Sequence, residues 1–342
     1  MSTSARTELK PAPSPPPRRS AVKWLLDAGL RRNMGLILAL VLLAVLGTAT
    51  AGERFADSNN VMTIVRLAAV TGVVSIGATF VITIAGIDLS VGAILALSAV
   101  WATTLSGQGF ADSTSWIFMA LTAMGVGAAA GLVNGILIAY GKVVSFITTL
   151  AMMAAARGLA EIISDKKTQI ITVEPFLDAV GGDVFGVPVI VLVFILVAIG
   201  GWVLLNRTTF GRRTFAIGGN PEAARLAGIK VERHTMAIYA LAGLCAGIGA
   251  FMLMARTTTG SATHGTGLEL DVIAAVVIGG TLLTGGRGSI FGTVLGVLIF
   301  STLTNIFTLN NLSLSVQLVA KGAIIVVAVL IQRQLAARQS RT

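Results

Sequence analysis

The sequence predicts an all-α polytopic membrane protein of about ten transmembrane helices. Both termini are expected in the cytoplasm, with an inverted repeat relating helices 2–5 to helices 7–10. Three observations carry this. The 342 residues are 55% apolar and only 12% charged, with a mean hydropathy of +0.87, whereas a soluble domain carries roughly 25% charged residues. Apolar runs long enough to cross a bilayer recur throughout, and inside lipid their backbone polar groups must be satisfied within the run, which makes them helices. The alternating segments of a transmembrane barrel are absent. The basic residues, finally, fall almost entirely on one side of the resulting topology.

Along the chain, residues 1–33 combine "PAPSPPP" with seven Lys or Arg and read as a disordered basic cytoplasmic leader. The apolar run that follows is long, and no A-x-A-like cleavage site precedes charged sequence, so this is not a cleaved signal peptide. Apolar spans then fall at 34–51, 61–85, 88–105, 115–139, 143–163, 186–205, 236–255, 269–284, 289–308 and 314–331. They define a transmembrane domain over 34–331, interrupted by a polar loop at 206–235 and followed by a basic cytoplasmic tail, 332–342. With the termini inside, the outer loops hold only Arg54, Lys166, Lys167 and Arg256 of the 25 basic residues, and the spans hold Arg66, Arg157 and Lys321. This is the positive-inside pattern. The net charge of +10 is then a topology signal. It is not a nucleic-acid footprint, for which interleaved aromatics or a folded basic domain would be needed. The 39 glycines suit close helix approach, and Cys245, the single cysteine, excludes an intrachain disulfide.

Two pairs of segments resemble each other. "GIDLSV" at 86–91 opens the third span and "GLELDV" at 267–272 the eighth; "GLVNGILI" at 131–138 in the fourth matches "GTVLGVLI" at 292–299 in the ninth. Each pair maps a span onto the one five further on. Five is odd, so the second copy enters the membrane from the opposite face, the inverted repeat of transporter folds.

Several polar residues lie in or beside the spans. Asp88 is placed to cap the third, and Glu269 and Asp271 to sit at the positive end of the eighth. The alternative is that these carboxylates border a hydrophilic translocation path, since acidic groups in a membrane face protein or water. Asn134 and Asn305 either bond to a neighbouring helix or line the same path. Arg157 and Glu161, four residues apart, suit an ion pair. Lys321 and Arg66 are positioned to snorkel, and the pairs Gly131/Gly135 and Gly292/Gly296 to pack helices together. No catalytic constellation is present. "TGGRGSIFG" at 284–292 lacks the Lys of a phosphate-binding loop, and His234 and His264 fall on opposite sides of the membrane, so they share no metal. No cofactor or metal is expected, and the chain does not read as an enzyme.

The loop at 206–235 carries six basic and two acidic residues. Within "NPEAARLAGI", Asn220 is a helix cap, Pro221 a first-position residue and Glu222 a first-turn acid, while Gly228 is a stop. This predicts one helix of about seven residues outside the bilayer. So short a helix is marginal alone and needs a surface, either its own membrane domain or a partner.

"EAARLAG" at 222–228 fits the E-A-A-x-x-x-G loop of ATP-binding cassette (ABC) importer permeases. "GIDLSVGAILALSA" at 86–99, "FGRRTFAIGGNPEAARLAGI" at 210–229 and "GTGLELDVIAAVVIGGTLLTGGRGSIFGTVLG" at 265–296 closely resemble the ribose/xylose/arabinose-type sugar permeases, with similarity from about residue 60 to 331. The resemblance implies one permease chain of an importer in the bacterial inner membrane. It would pair with a second permease chain, an ABC ATPase that binds the ATP, and an extracytoplasmic sugar-binding protein. By carry-over, Asn220, Pro221, Glu222, Ala223, Ala224, Arg225 and Gly228 belong to the helix that couples to the ATPase. Arg212, Arg213 and Arg225 are placed to meet acids on that ATPase or, for the first two, anionic headgroups. Permeases for branched-chain amino acids or nucleosides share the architecture. An ion-coupled carrier would leave the loop helix without a task.

Overall fold

The computed structural model describes residues 21–339. The chain divides into an N-terminal unit, 1–35, and the remainder, 36–342. The helices are α1 Ala21–Ala51, α2 Glu53–Ala56, α3 Ser58–Thr83, α4 Val91–Ala102, α5 Leu105–Ser113, α6 Ile117–Ala139, α7 Ser145–Ile163, α8 Glu174–Gly181, α9 Val189–Arg207, α10 Thr209–Gly219, α11 Pro221–Leu226, α12 Val231–Thr257, α13 Leu268–Ile278, α14 Ile290–Leu309 and α15 Leu314–Gln339. Two small antiparallel pairs accompany them: β1 Gln169–Ile170 with β4 Thr259–Gly260, and β2 Asp183–Val184 with β3 Val187–Pro188. Of the 1–33 leader, residues 1–20 lie outside the described residues, and α1 begins at Ala21. Of the 332–342 tail, α15 runs on to Gln339, and 340–342 lie outside the described residues.

Among the described residues, seven helices are long and apolar enough to cross a membrane, or eight if the bent pair α4–α5 is one span. Two expected spans are corrected. The third, read as 88–105, is helical only from Val91 to Ala102. Thr103 ends α4, and the Thr104 hydroxyl, accepting from Gly107 N at 3.2 Å, starts α5 at a 59° bend. The eighth, read as 269–284, stops at Ile278, because Gly280 turns left-handed (φ +87°) and Thr281 N bonds back to Val276 O at 3.2 Å. At ~1.5 Å per residue neither half-helix reaches across ~30 Å of hydrocarbon.

Why the core sits where it does follows from composition. α3 and α14 are 72% buried along their apolar windows, α9 and α7 only 22%. The small residues of α3, such as Ala68, Ala69, Gly72 and Gly77, admit neighbours on every side. Thr79 and Thr293 hydroxyls meet at 2.8 Å between α3 and α14. The branched residues of α9, such as Ile195, Leu196 and Ile199, stand exposed where lipid covers them. α6 crosses α12 backbone to backbone through Gly127, Gly131 and Gly135 against Gly247, Gly243 and Met236. Gly292 and Gly296 pack likewise on Gly279 and Ala275. Both glycine pairs singled out in the sequence are packing contacts.

The pattern of neighbours has a two-fold character. Contact of α3 with α14 has its image in α12 with α6, α4 with α7 in α13 with α15, α4 with α6 in α13 with α14, and α4 with α12 in α13 with α3. α3 against α12 is its own image. Exchanging α3, α4, α6 and α7 for α12, α13, α14 and α15 therefore preserves these contacts. The exchange is not exact: α6 leans on α7 more closely than α14 does on α15.

Two expected side-chain roles are also corrected, those of Lys321 and Arg157, whereas the half-exposed pairing of Arg66 is compatible with snorkelling. Lys321 does not snorkel; its Nζ bonds Asp271 Oδ1 and Oδ2 at 3.0 and 2.9 Å. Arg66 reaches Asp183 at 3.4 Å. Arg157 makes no hydrogen-bonded pair with Glu161, because its guanidinium instead donates to the carbonyls of Ala262 and His264.

Candidate functional site

A capped connector on the polar side lies directly against a break in the membrane helices. The Thr208 hydroxyl accepts from Phe210 N and Gly211 N (3.1 and 3.4 Å) and starts α10. Asn220 then extends (φ −161°), and its side chain accepts from Ala223 N at 3.0 Å, capping α11. Pro221 occupies the first turn, where a missing N–H costs nothing. At the far end Gly228 adopts φ +80°. Gly228 N bonds Arg225 O at 2.9 Å and Ile229 N bonds Ala224 O at 3.0 Å, the two closures of a Schellman motif. The single helix expected in this loop is thus two, since sequence reasoning missed α10. Its only signal was Thr208 followed by "FGRRTF", a weak amphipathic turn.

Electrostatics and burial orient α11. Arg225 joins Glu222 Oε1 (2.7 Å) to Glu232 Oε1 (2.9 Å), and Lys142 Nζ reaches the same Glu232 oxygen at 3.2 Å. The hydrogen bond that Arg225 donates to Glu222, then that to Glu232, raise its pKa further. Exposed pairs of this kind are worth little in stability; what they supply is position, tying α11 to α12 and to the α6–α7 turn. Ala224 is buried inward at 4% exposure, while Leu226 is 90% exposed. A bare leucine on a fixed helix outside the apolar spans is a face left open.

The connector touches the α3–α4 break by two routes. Gly218 of α10 sits so close to Thr83 and Gly286 that a Cβ would lie 2.6 Å from Gly286 N, and Gly286 N itself donates to Thr83 O at 2.9 Å. The Phe210 ring lies 6.0 Å from Phe80 and 4.3 Å from His234, whose Nε2 meets Thr214 Oγ1 at 2.9 Å. Beside these contacts, a cavity of 300 Å³ is lined by Ala85 and Gly86 of the break, Ser145, Pro221, Arg225 and Tyr239. At the break Ala85 takes φ +61°. The Ile87 backbone is held by the Ser145 and Thr149 hydroxyls, both at 3.3 Å.

The polar residues assigned to a path fall into four places. Asp88 and Asn134 come together through Ser90, whose N–H and hydroxyl donate to Asp88 Oδ1 (2.9 and 2.5 Å) while its oxygen accepts from Asn134 Nδ2 at 2.9 Å. Asp88 therefore closes a turn over Ser90, and Ser90 is the capping position of α4. Glu269 lies against Gly92, where a Cβ would be 2.8 Å from Glu269 Oε2. Asp271 is engaged by Lys321 and borders a second cavity, of 200 Å³, with Arg256, Thr71, Ser301 and Thr304. Asn305 exchanges two amide bonds with Asn60, at 3.1 and 2.8 Å, the neighbouring-helix role.

Comparison with known proteins decides the family. A family model described as "Branched-chain amino acid transport system / permease component" matches residues 60–329. The chain belongs to this permease family. Similar permeases include the ribose import permease protein of Bacillus subtilis (strain 168), 41% identical over 90% of this chain and 94% of that protein. The ribose import permease protein of Escherichia coli (strain K12) is 36% identical over 92% and 98%. The L-arabinose transport system permease protein of the same strain is 40% identical over 86% and 89%. No solved structure matches. With its apolar helices, this membership makes the chain a multi-pass permease of the bacterial inner membrane, and a transport component, not an enzyme.

Proposed function

We propose that this permease is the membrane-spanning subunit of an ATP-driven monosaccharide importer of the ribose/arabinose type, and that α11 is the helix through which a separate ABC ATPase drives it. The carrying observation is the Asn220–Gly228 connector: capped at both ends, open to solvent at Glu222 and Leu226, and joined through α10 to the α3–α4 break. A short helix fixed at one face and bare at the other suits a partner's groove. Relatives named for ribose, allose and arabinose support the sugar class. The family model's branched-chain description favours an amino-acid solute as the second reading.

In this reading ten segments traverse or enter the membrane, counting the bent α4–α5 pair, the short α13 and α15. Both termini face the cytoplasm, and the symmetric exchange of neighbours reflects two inverted halves whose rocking alternates access. Two permease chains, identical in the simplest assembly, complete the path. Asp88, Asn134, Glu269, Asp271 and Asn305 contribute polarity near it. The ATPase holds the nucleotide, and an extracytoplasmic binding protein delivers the sugar. Nucleic acid has no part.

The test is Glu222→Lys, and separately deletion of 220–228, in cells carrying the whole system. Uptake of labelled sugar is expected to vanish while the permease still inserts and accumulates in the membrane; normal uptake would remove the coupling role. Competition by ribose, arabinose, allose and leucine separates the two solute readings. Purified permease alone is expected to show no sub-micromolar affinity for the transported sugar.

A further inference from the structure

The break between α3 and α4 holds a carboxylate that the coupling role does not use. Asp88 is 4% exposed, and no ion pair among the described residues includes it. Its Oδ1 is met by Ser90; its Oδ2 is buried without any partner. On the other side of Ser90, Asn134 spends its amide N–H on the Ser90 oxygen, and its Oδ1 is likewise buried and unpartnered. A third orphan adjoins them. Tyr239 Oη, on a fully buried residue, lies against Gly86, where a Cβ would be 2.5 Å away, and faces Ser145 without hydrogen-bonding geometry.

Packing alone does not leave this, since roughly 90% or more of buried polar groups find a partner. Asn134 Oδ1 and an ionised Asp88 Oδ2 can accept and not donate, so whatever joins them must bring positive charge or a hydrogen to both. An isolated carboxylate out of water costs several kcal/mol unless a charge compensates it. A bound cation or a proton on Oδ2 meets that requirement, and a neutral water does not; sodium dependence separates the two. One carboxylate balances one positive charge. Carboxylate, amide and phenol oxygens, with no nitrogen or sulfur donor, suit a hard ion and not a transition metal. The unwound segment beside them follows the C-terminal, negative end of α3, and unwound membrane helices use such ends and their carbonyls to hold monovalent cations.

We propose that the α3–α4 break is a binding site for a monovalent cation of sodium's size, held by Asp88 Oδ2, Asn134 Oδ1 and Tyr239 Oη. The ion joins the start of α4 to α6 and α12 at the junction against which the connector packs, and so holds the break in the conformation described. The site is a property of the permease chain and does not depend on which solute the importer carries.

The experiment uses purified full-length permease in detergent. Its thermal unfolding is followed while NaCl replaces choline chloride at constant ionic strength, with parallel LiCl and KCl series, and binding of radioactive 22Na+ is counted directly. A saturable, sodium-dependent rise in Tm is expected, with one 22Na+ bound per chain. Asp88→Asn keeps the shape of the side chain but removes its charge. That variant is expected to lose both the rise and the bound 22Na+, while unfolding cooperatively at a sodium-free Tm no lower than that of the parent. Identical curves in sodium and choline with no bound 22Na+ would mean that a proton on Asp88, or water, satisfies the cluster, and would overturn the proposal. So would a sodium response that persists undiminished in Asp88→Asn.

Discussion

Gly243→Ala probes the contact that sets α12 against α6. An ideal Cβ on Gly243 would lie 2.8 Å from Gly131 Cα and 2.9 Å from Gly131 N, where ordinary contact begins near 3.4 Å. The obstacle is backbone, with the Gly127 carbonyl oxygen closer still, so no side chain can swing aside and the helices must part by more than about 0.6 Å. A gap of that size forfeits about a quarter or more of the dispersion attraction at each contact it opens, including those at Gly127 and Gly135. Overpacking of one methylene is worth about 1–3 kcal/mol. Gly125→Ala is the control: it lies on the same α6, where a Cβ meets nothing within 4 Å. Both replacements gain similar helix propensity, so their difference isolates the crossing, and Gly243→Ala should be the less stable by about 1–3 kcal/mol. Cys245 offers the assay, because the only thiol in the chain is 3% exposed and a thiol-reactive fluorophore reports when it is uncovered by heating. If Gly243→Ala releases Cys245 at the same temperature as Gly125→Ala, the glycine crossing is not a tight contact and the reasoning is wrong.

Three further outcomes are expected. Asp271→Leu or Lys321→Met alone should destabilise, because each leaves a mostly buried charge unpaired. The double change Asp271→Leu/Lys321→Met should recover much of the loss, with a coupling of about 1–3 kcal/mol in a double-mutant cycle; additive losses would contradict it. Gly228→Val should lower protection of the 220–228 amides in hydrogen exchange, since φ +80° costs a β-branched residue roughly 1–2 kcal/mol, while Gly228→Asn should be tolerated; equal protection in both would remove the Schellman argument. Native permease should resist maleimide labelling at Cys245 until denatured, and rapid labelling of the folded protein would show the α3–α12 contact to be open.

Element existence and helix chemistry were legible where they depend on local rules. Asn220, Pro221 and Gly228 take the roles their side chains dictate, and "GLVNG" packs glycine to backbone as its spacing implies. Hydropathy failed where polar and apolar segments look alike. Thr103–Thr104 divides α4 from α5, and Gly279–Gly280 ends α13, yet neither pair lowers the local hydropathy enough to mark a break. Long-range partnerships were invisible for a different reason. Lys321 and Asp271 are fifty residues apart, and Arg157 had a plausible partner at Glu161 four residues away. Only the fold shows that the Ala262 and His264 carbonyls compete for that guanidinium. Short-range spacing proposes a pair, whereas tertiary approach decides it.

The geometry also constrains how a push on α11 can travel. α11 has six residues and is anchored through Ala224 and the Arg225–Glu232–Lys142 chain, too few contacts to move a helix bundle by themselves. α10 is different. Its Gly218 lies in backbone contact with Thr83 and Gly286, and its Phe210 packs on Phe80 and His234. Close-packed backbone transmits displacement where flexible side chains would absorb it. A shift of the connector must therefore arrive first at the end of α3, where Ala85 already occupies a left-handed conformation that costs an alanine roughly 1–2 kcal/mol. Strain held at the junction that both the connector and the half-helix α4 share lowers the cost of rearranging that junction.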